Sequence, residues 1–261
     1  MNPFAFTLLF AAFIGFIVWL VRKNQQLLRE RDLKFSIGAH DTGWRYAPNP
    51  EYSGVIVRGQ VRNEAQDVAF TFDGHCDAFD WCMWYDNGRR FASDSSSSGP
   101  STVSTAVWRC ESLHADQLQM LILPRGQYRV ESGRIFGAVA AFASSFAAAV
   151  TGADGHDSHQ AFFKRAVELK GTLAGFDNAF AVLIGPGASQ AWLDEKLQSM
   201  LLQWPKGCTP SPAHSVGFGL AVSYGADGLQ MTFRQPLSDS WPFWEQFGRL
   251  GQELGLRLAR T

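Results

Sequence analysis

Cysteine is scarce in this chain: four residues among 261, which is too few for a small disulfide-stapled scaffold. Cationic surplus is missing too. Beyond residue 34 there are 18 basic against 22 acidic residues and no Lys/Arg run. A nucleic-acid reader needs a basic face, so nucleic acid is excluded as an expected partner. The 25 Gly and 11 Pro are ordinary, which excludes collagen-like and low-complexity chains. Long apolar runs are absent but for one, so the chain is not a polytopic membrane protein.

That one run is Phe4 to Val21, FAFTLLFAAFIGFIVWLV, eighteen residues without a charge. As a helix it spans ~27 Å, about the hydrocarbon thickness of a bilayer. Phe4, Phe10, Phe13 and Phe16 supply apolar bulk, and Trp19 sits where an amphipathic ring favours the headgroups. No Lys or Arg precedes the run, and no small-x-small site follows it, so it reads as an uncleaved anchor and not a signal peptide. Arg22 and Lys23 close it. Arg29, Arg31 and Lys34 continue the basic flank against Glu30 and Asp32 alone. Translocating that flank is costly, so the C-terminal side is expected in the cytoplasm, most simply at a bacterial inner membrane. The expected order is a tip at 1–3, a transmembrane helix at 4–21 and a basic helical stalk at 22–34. A cytoplasmic domain follows at 35–261, with a possible subdomain break near 151–160.

The domain begins with strand patterns. Gly54–Arg62 and Val68–Phe72 alternate, Phe79–Tyr85 is aromatic-rich, and Thr105–Leu113 leads to Leu118–Leu123 through a short turn. Residues 87–104 contain Asp94-Ser95-Ser96-Ser97-Ser98-Gly99-Pro100, which cannot bury apolar area, and read as a mobile loop. Residues 135–150 carry Ile135, Val139, Phe142, Phe146 and Val150 on one helical face and small residues on the other. This segment fits a core helix, an interfacial helix or a second span. Later come one or two helical turns in Phe162–Leu169, a strand at Ala179–Ile184 and a helix from Ser189 to Trp204. A hairpin around Gly225–Gly228 and a final helix capped near Ser240 end the chain. Strands in adjacent runs, without strict βαβ alternation, predict an α+β fold with mainly antiparallel sheet.

Chemistry-bearing residues are sparse. Asp154, His156, Asp157 and His159 lie within six positions and supply metal-type ligands, yet on a Gly-containing loop with no helical or paired-Cys frame. Cys76, Asp80 and Cys82 share a parity, but on one continuous strand the two thiols lie ~20 Å apart. Gly187-Ala188-Ser189-Gln190-Ala191 resembles a nucleophile elbow in its setting, while Ser189 as a plain helix cap explains it as well. Trp81, Trp84 and Tyr85, beside the Ser-rich loop, offer an aromatic partner or ligand surface against the alternative of core packing.

No catalytic set and no cofactor motif stands out. The leading expectation is a single-span protein whose domain is a non-enzymatic interaction or scaffold module, with the bilayer and a protein partner or a second copy as its contacts. One alternative is a membrane-tethered hydrolase or metal-dependent enzyme using the 154–159 loop. The other is a lipid- or apolar-ligand-binding module built on 135–150.

Overall fold

The computed structural model describes residues 3–48, 56–57, 60–61, 68–90, 102–124, 162–204, 220–234 and 239–260. The fold is α+β, with a large antiparallel sheet and helices. Helix α1 (Pro3–Asp41) leads into β1 (Arg45–Pro48), β2 (Ile56–Val57), β3 (Gln60–Val61), β4 (Val68–Cys76), β5 (Phe79–Arg90), β6 (Thr102–Cys110) and β7 (Met120–Pro124). A helical turn at 162–165 precedes β8 (Val167–Leu169). Then follow α2 (Phe176–Ala179), β9 (Phe180–Ile184), α3 (Glu195–Gln203), β10 (Leu220–Gly225), β11 (Gly228–Arg234) and α4 (Trp241–Leu258).

Nine strands form one sheet in the order β1-β4-β5-β6-β11-β10-β7-β9-β8, and β2 and β3 pair separately. Strands from both ends of the chain interleave: the β10–β11 hairpin sits between β6 and β7. The sequence joins β6 and β7 by a short turn, but the fold separates them. Val107 pairs with Thr232 and Ile122 with Val222, which lets the late hairpin fill the centre of the sheet.

Side-chain alternation sets the layers. One row runs through Phe72, Met83, Trp108, Met231, Val222, Ile122 and Val182, joined pair by pair across seven strands. All seven are buried in the main core, together with Phe243, Trp244, Phe247, Leu250 and Leu254 of α4. Helix α4 gets this close because of its glycines: a Cβ on Gly251 would run into the Trp108 ring, and one on Gly248 into Trp44. The opposite sheet face carries two smaller apolar clusters, one of Leu121, Leu123, Leu183 and Ala221 under Phe162 and Phe163, the other of Val68, Trp84 and Val107.

Several expected boundaries move. Gly54–Arg62 is not one strand but contributes β2 and β3 to a hairpin of its own. Residues 87–90 and 102–104, expected in a mobile loop, extend β5 and β6, where Arg89 pairs with Val103 and Arg90 with Thr102. Of Phe162–Leu169 only the first part is helical, and Val167–Leu169 is an edge strand on β9. Helix α3 starts at Glu195, six residues after Ser189, because the Asp194 carboxylate accepts the Leu197 N–H and forms the cap. Residues 91–101, the 135–150 segment and the 154–159 loop lie outside the described residues.

Candidate functional site

Helix α1 is the element whose surface differs most from the rest of the protein. It runs unbroken for 39 residues, ~58 Å. Its large apolar side chains from Phe13 to Val21 are exposed by 42 to 59 % on every side of the helix. Trp19 stacks on Phe16, three residues back on the same helix. Phe10 is exposed likewise, and Arg22 and Lys23 follow as an exposed basic pair. The side chains of 3–9 and 11, Phe4 among them, lie outside the described residues. Among the described residues no helix is long and apolar enough to cross a membrane. Residues 12–21 alone reach only ~15 Å. The expected transmembrane helix is therefore not supported by the described side chains by themselves.

The other end of α1 is docked. The basic stalk expected at 22–34 is not a separate unit: the helix continues to Asp41, and its last three turns pack on the sheet. Phe35 is fully buried among Tyr46, Phe70, Phe72 and Trp241. Gly38 lets α4 close in, since a Cβ there would run into the Trp241 indole. The helix stops because Thr42 Oγ1 donates to the Gly38 and Ala39 carbonyls, Trp44 N donates to Ala39 O, and Gly43 takes the left-handed conformation at φ 75°.

A polar joint beside Phe35 ties helix to sheet. Tyr46 Oη donates to Asp32 Oδ1 at 2.6 Å, and Arg31 donates to the same oxygen from Nε (3.2 Å) and Nη2 (2.9 Å). The Arg31 guanidinium lies 5.1 Å from the Phe70 ring centroid. Burial, then the hydrogen bond to Asp32, pushes the Tyr46 phenol far above its ordinary value. For Arg31 burial works against the charge, but the hydrogen bond to Asp32 and the nearby carboxylate charge prevail and raise its pKa. Thus one of the five stalk cations is consumed inside the domain. No sequence pattern announced this, because Asp32 and Tyr46 meet only after the chain reverses at Gly43.

The other polar constellations join elements as well. Gln198 is buried on α3: its Oε1 accepts from the Thr172 and Leu173 N–H groups, and its Nε2 donates to Thr172 Oγ1 and Leu193 O. Arg257 of α4 reaches Asp194 at the start of α3 and Glu253 on its own helix, which also receives Lys196. The hydrogen bond from Arg257 holds Glu253 below its usual pKa. His75 and Asp80 pair at 2.6 Å on the exposed tip of the β4–β5 hairpin.

That hairpin also redraws the Cys76/Asp80/Cys82 idea. The strand turns between Cys76 and Phe79, so Cys76 faces the helix layer while Cys82 pairs with Asp73 on the other face. Cys76 and Cys110 are free thiols, and burial raises the Cys110 thiol pKa. Among the described residues no group of three or more His, Cys, Asp or Glu is placed to hold a metal. Asp154, His156, Asp157 and His159 are outside that set. Trp81, Trp84 and Tyr85 do not form a shared surface: Trp81 and Tyr85 belong to the main core and Trp84 to the opposite face, all three buried. Ser189 Oγ accepts the Ala191 N–H in an exposed turn, with no base beside it among the described contacts.

Compared with protein-family models, curated proteins and solved structures, the chain matches none.

Proposed function

We propose that this chain is a single-span membrane protein whose N-terminal helix lies in the bilayer and holds the α+β domain at the cytoplasmic surface, as a non-enzymatic interaction module. One observation carries the reading: the unbroken, all-round exposure of large apolar side chains along Phe13–Val21. Fully burying a side chain of this size is worth ~1.5–3 kcal/mol, and eight within nine consecutive positions make an apolar surface far larger than a protein in water leaves open. With Phe4–Ala12 from the sequence the run reaches bilayer thickness.

Two further features agree. Arg22, Lys23 and Arg29 are exposed just past the run, as positive charge retained on the cytoplasmic side would be. The helix carries on from Val21 to Arg31 with neither Gly nor Pro, so the joint at Asp32 and Tyr46 stands ~15 Å beyond the end of the apolar run. The interaction role is supported by the use the fold makes of its polar groups, in which Arg31, Asp32, Gln198, Asp194 and Arg257 each tie one element to another.

Flotation of the full chain with phospholipid vesicles through a density gradient tests the anchor. The full chain is expected to float and to resist alkaline extraction, and a variant lacking residues 3–21 to stay at the bottom. A full chain that stays at the bottom overturns the reading.

A further inference from the structure

We propose that one end of the nine-stranded sheet docks on anionic lipid headgroups, through Arg89 and Arg90 of β5 and Arg234 of β11, beside Arg22 and Lys23 of α1. The proposal rests on the membrane reading above, which sets where the bilayer lies relative to α1.

The direction of the strands follows from the way α1 docks. Followed back from Ala39 to Arg31, the helix meets first Trp44 and then Tyr46 on β1, and first Phe72 and then Phe70 on β4. Strand β1 therefore runs toward the N-terminal end of α1, and β4 runs away from it. The antiparallel ladders carry this order across the sheet. Val68, Arg90, Thr102 and Arg234 end their strands on the side of the apolar run, and Cys76, Phe79, Cys110 and Gly228 end theirs on the far side.

Helix and strands reach equally far. The Arg31 guanidinium lies over Phe70, which shares a row of the sheet with Tyr85 and Ala106. From Val21 to Arg31 the helix rises ~15 Å. From Ala106 to Thr102 the strand covers up to ~13 Å in the opposite sense, back toward the run, and Arg90 pairs with Thr102 there. The β5–β6 end thus comes close to the level of Arg22 and Lys23, which directly follow the apolar run at headgroup depth. A charged surface acts over ~10 Å at 0.1 M salt, so strands inclined to the helix still bring their arginines into its range.

Charge selects the lipid. On β4, β5, β6 and β11 the end toward the run carries Arg89, Arg90 and Arg234 against Asp86 alone, and α1 adds exposed Arg22, Lys23 and Arg29 against Glu30. The far end carries Asp77, Asp80, Glu111 and Asp227, and its cations Arg109 and Arg45 are paired with Glu111 and Asp73. Beyond residue 34 acidic residues outnumber basic ones by 22 to 18, yet the basic end of the sheet is the one turned to the bilayer. An anionic leaflet attracts that arrangement, and a neutral one does not.

The test reads each end of the sheet in the full chain reconstituted in vesicles. A bimane label is placed on an added cysteine, Thr102→Cys or Asp227→Cys, with phosphatidylcholine bearing a headgroup nitroxide as quencher and the unsubstituted chain as labelling background. In vesicles of phosphatidylcholine with phosphatidylserine, quenching at 102 is expected to be about threefold that at 227, since the two ends of β6 are ~26 Å apart. It is expected to fall by about half in vesicles of phosphatidylcholine alone, and by as much when Arg89→Gln and Arg90→Gln are combined. The lipid comparison uses the natural arginines, so it decides the matter even where the double variant fails to fold. Quenching at 102 no stronger than at 227, quenching indifferent to lipid charge, or a folded double variant that behaves as the parent overturns the proposal. Flotation of the same samples separates this from failure of the anchor, since a chain that does not float fails the earlier reading first.

Discussion

The hydroxyl of Tyr46, on the first strand after α1, donates to the carboxylate of Asp32 three turns back on that helix, at 2.6 Å. The bond is charge-assisted and partly buried, so it is worth more than an ordinary tyrosine contact. Tyr46→Phe keeps the ring on Phe35 and Phe72 and removes only the donor, leaving Asp32 with Arg31. A loss of about 1.5–3 kcal/mol is expected by chemical denaturation. A loss below a few tenths would mean that Arg31 alone suffices.

Burial of the phenol, together with this bond, sets a pH dependence. The phenol is raised in the folded state from its ordinary value of 10.0, so the folded protein holds its proton where the unfolded chain releases it. The contribution is complete below pH 10 and declines as pH rises beyond it, by at most ~1.4 kcal/mol per pH unit. Between pH 9.5 and 11.5 the unfolding midpoint of Tyr46→Phe is therefore expected to fall less steeply than that of the parent chain. Parallel curves would remove Tyr46 as the cause.

Two glycines of α1 give opposite expectations. A Cβ at Gly38 meets the Trp241 ring, whereas one at Gly15 meets nothing within 4 Å. Gly38→Val is expected to destabilise by about 1–3 kcal/mol through displacement of Trp241. Gly15→Ala removes the cost of a helical glycine, about 1 kcal/mol, and leaves the domain untouched. Thermal unfolding of the two variants side by side separates the docked end of the helix from the open one.

These contrasts mark what the sequence makes legible. Periodicity shows α4, with Trp244, Phe247, Leu250, Leu254 and Leu258 on its buried face and Ser240 as its cap, since those signals are local. The β10–β11 hairpin is equally local: Gly225 and Gly228 pair, and Gly228 takes φ 96°. Insertion of that hairpin between β6 and β7 is a long-range choice, with Cys110 meeting Leu229 across more than a hundred residues. Docking of 35–41 was hidden for a different reason. Phe35, Gly38 and Ala39 make too narrow an apolar stripe beside exposed Leu33 and Ile37 to reveal which side faces the sheet. Trp81, Trp84 and Tyr85 look like a surface group only while strand alternation is ignored, because it sends Trp84 to the face opposite its neighbours.

Gln198 closes a loop that apolar packing does not. Its amide satisfies two backbone donors at Thr172 and Leu173 and one carbonyl at Leu193 from within the core. Gln198→Leu preserves volume and strands those groups without partners, each at about 1–3 kcal/mol. A net loss of about 3 kcal/mol is expected, and faster amide hydrogen exchange at Thr172 and Leu173 than elsewhere. Uniform exchange across the domain would assign the loss to general packing instead.

The length of α1 that belongs to the domain is set by Arg31 and Phe35, not by the end of the apolar run. Phe35 alone brings ~1.5–3 kcal/mol of burial, and Arg31 and Asp32 add the joint to Tyr46. A chain starting at Asn24 keeps all of these and is expected to unfold at the midpoint of the full protein in mild detergent. A chain starting at Thr42 loses them together and exposes Phe70, Phe72 and Trp241, which pack on Phe35 in the intact protein. It is expected to lose at least 4 kcal/mol, by the sum of roughly 2 for the ring and 2 for the charge-assisted bonds. Aggregation through the uncovered apolar face of the sheet would accompany that loss. Equal midpoints for the two truncations would show that the helix merely passes by the sheet, and that the domain is complete without it.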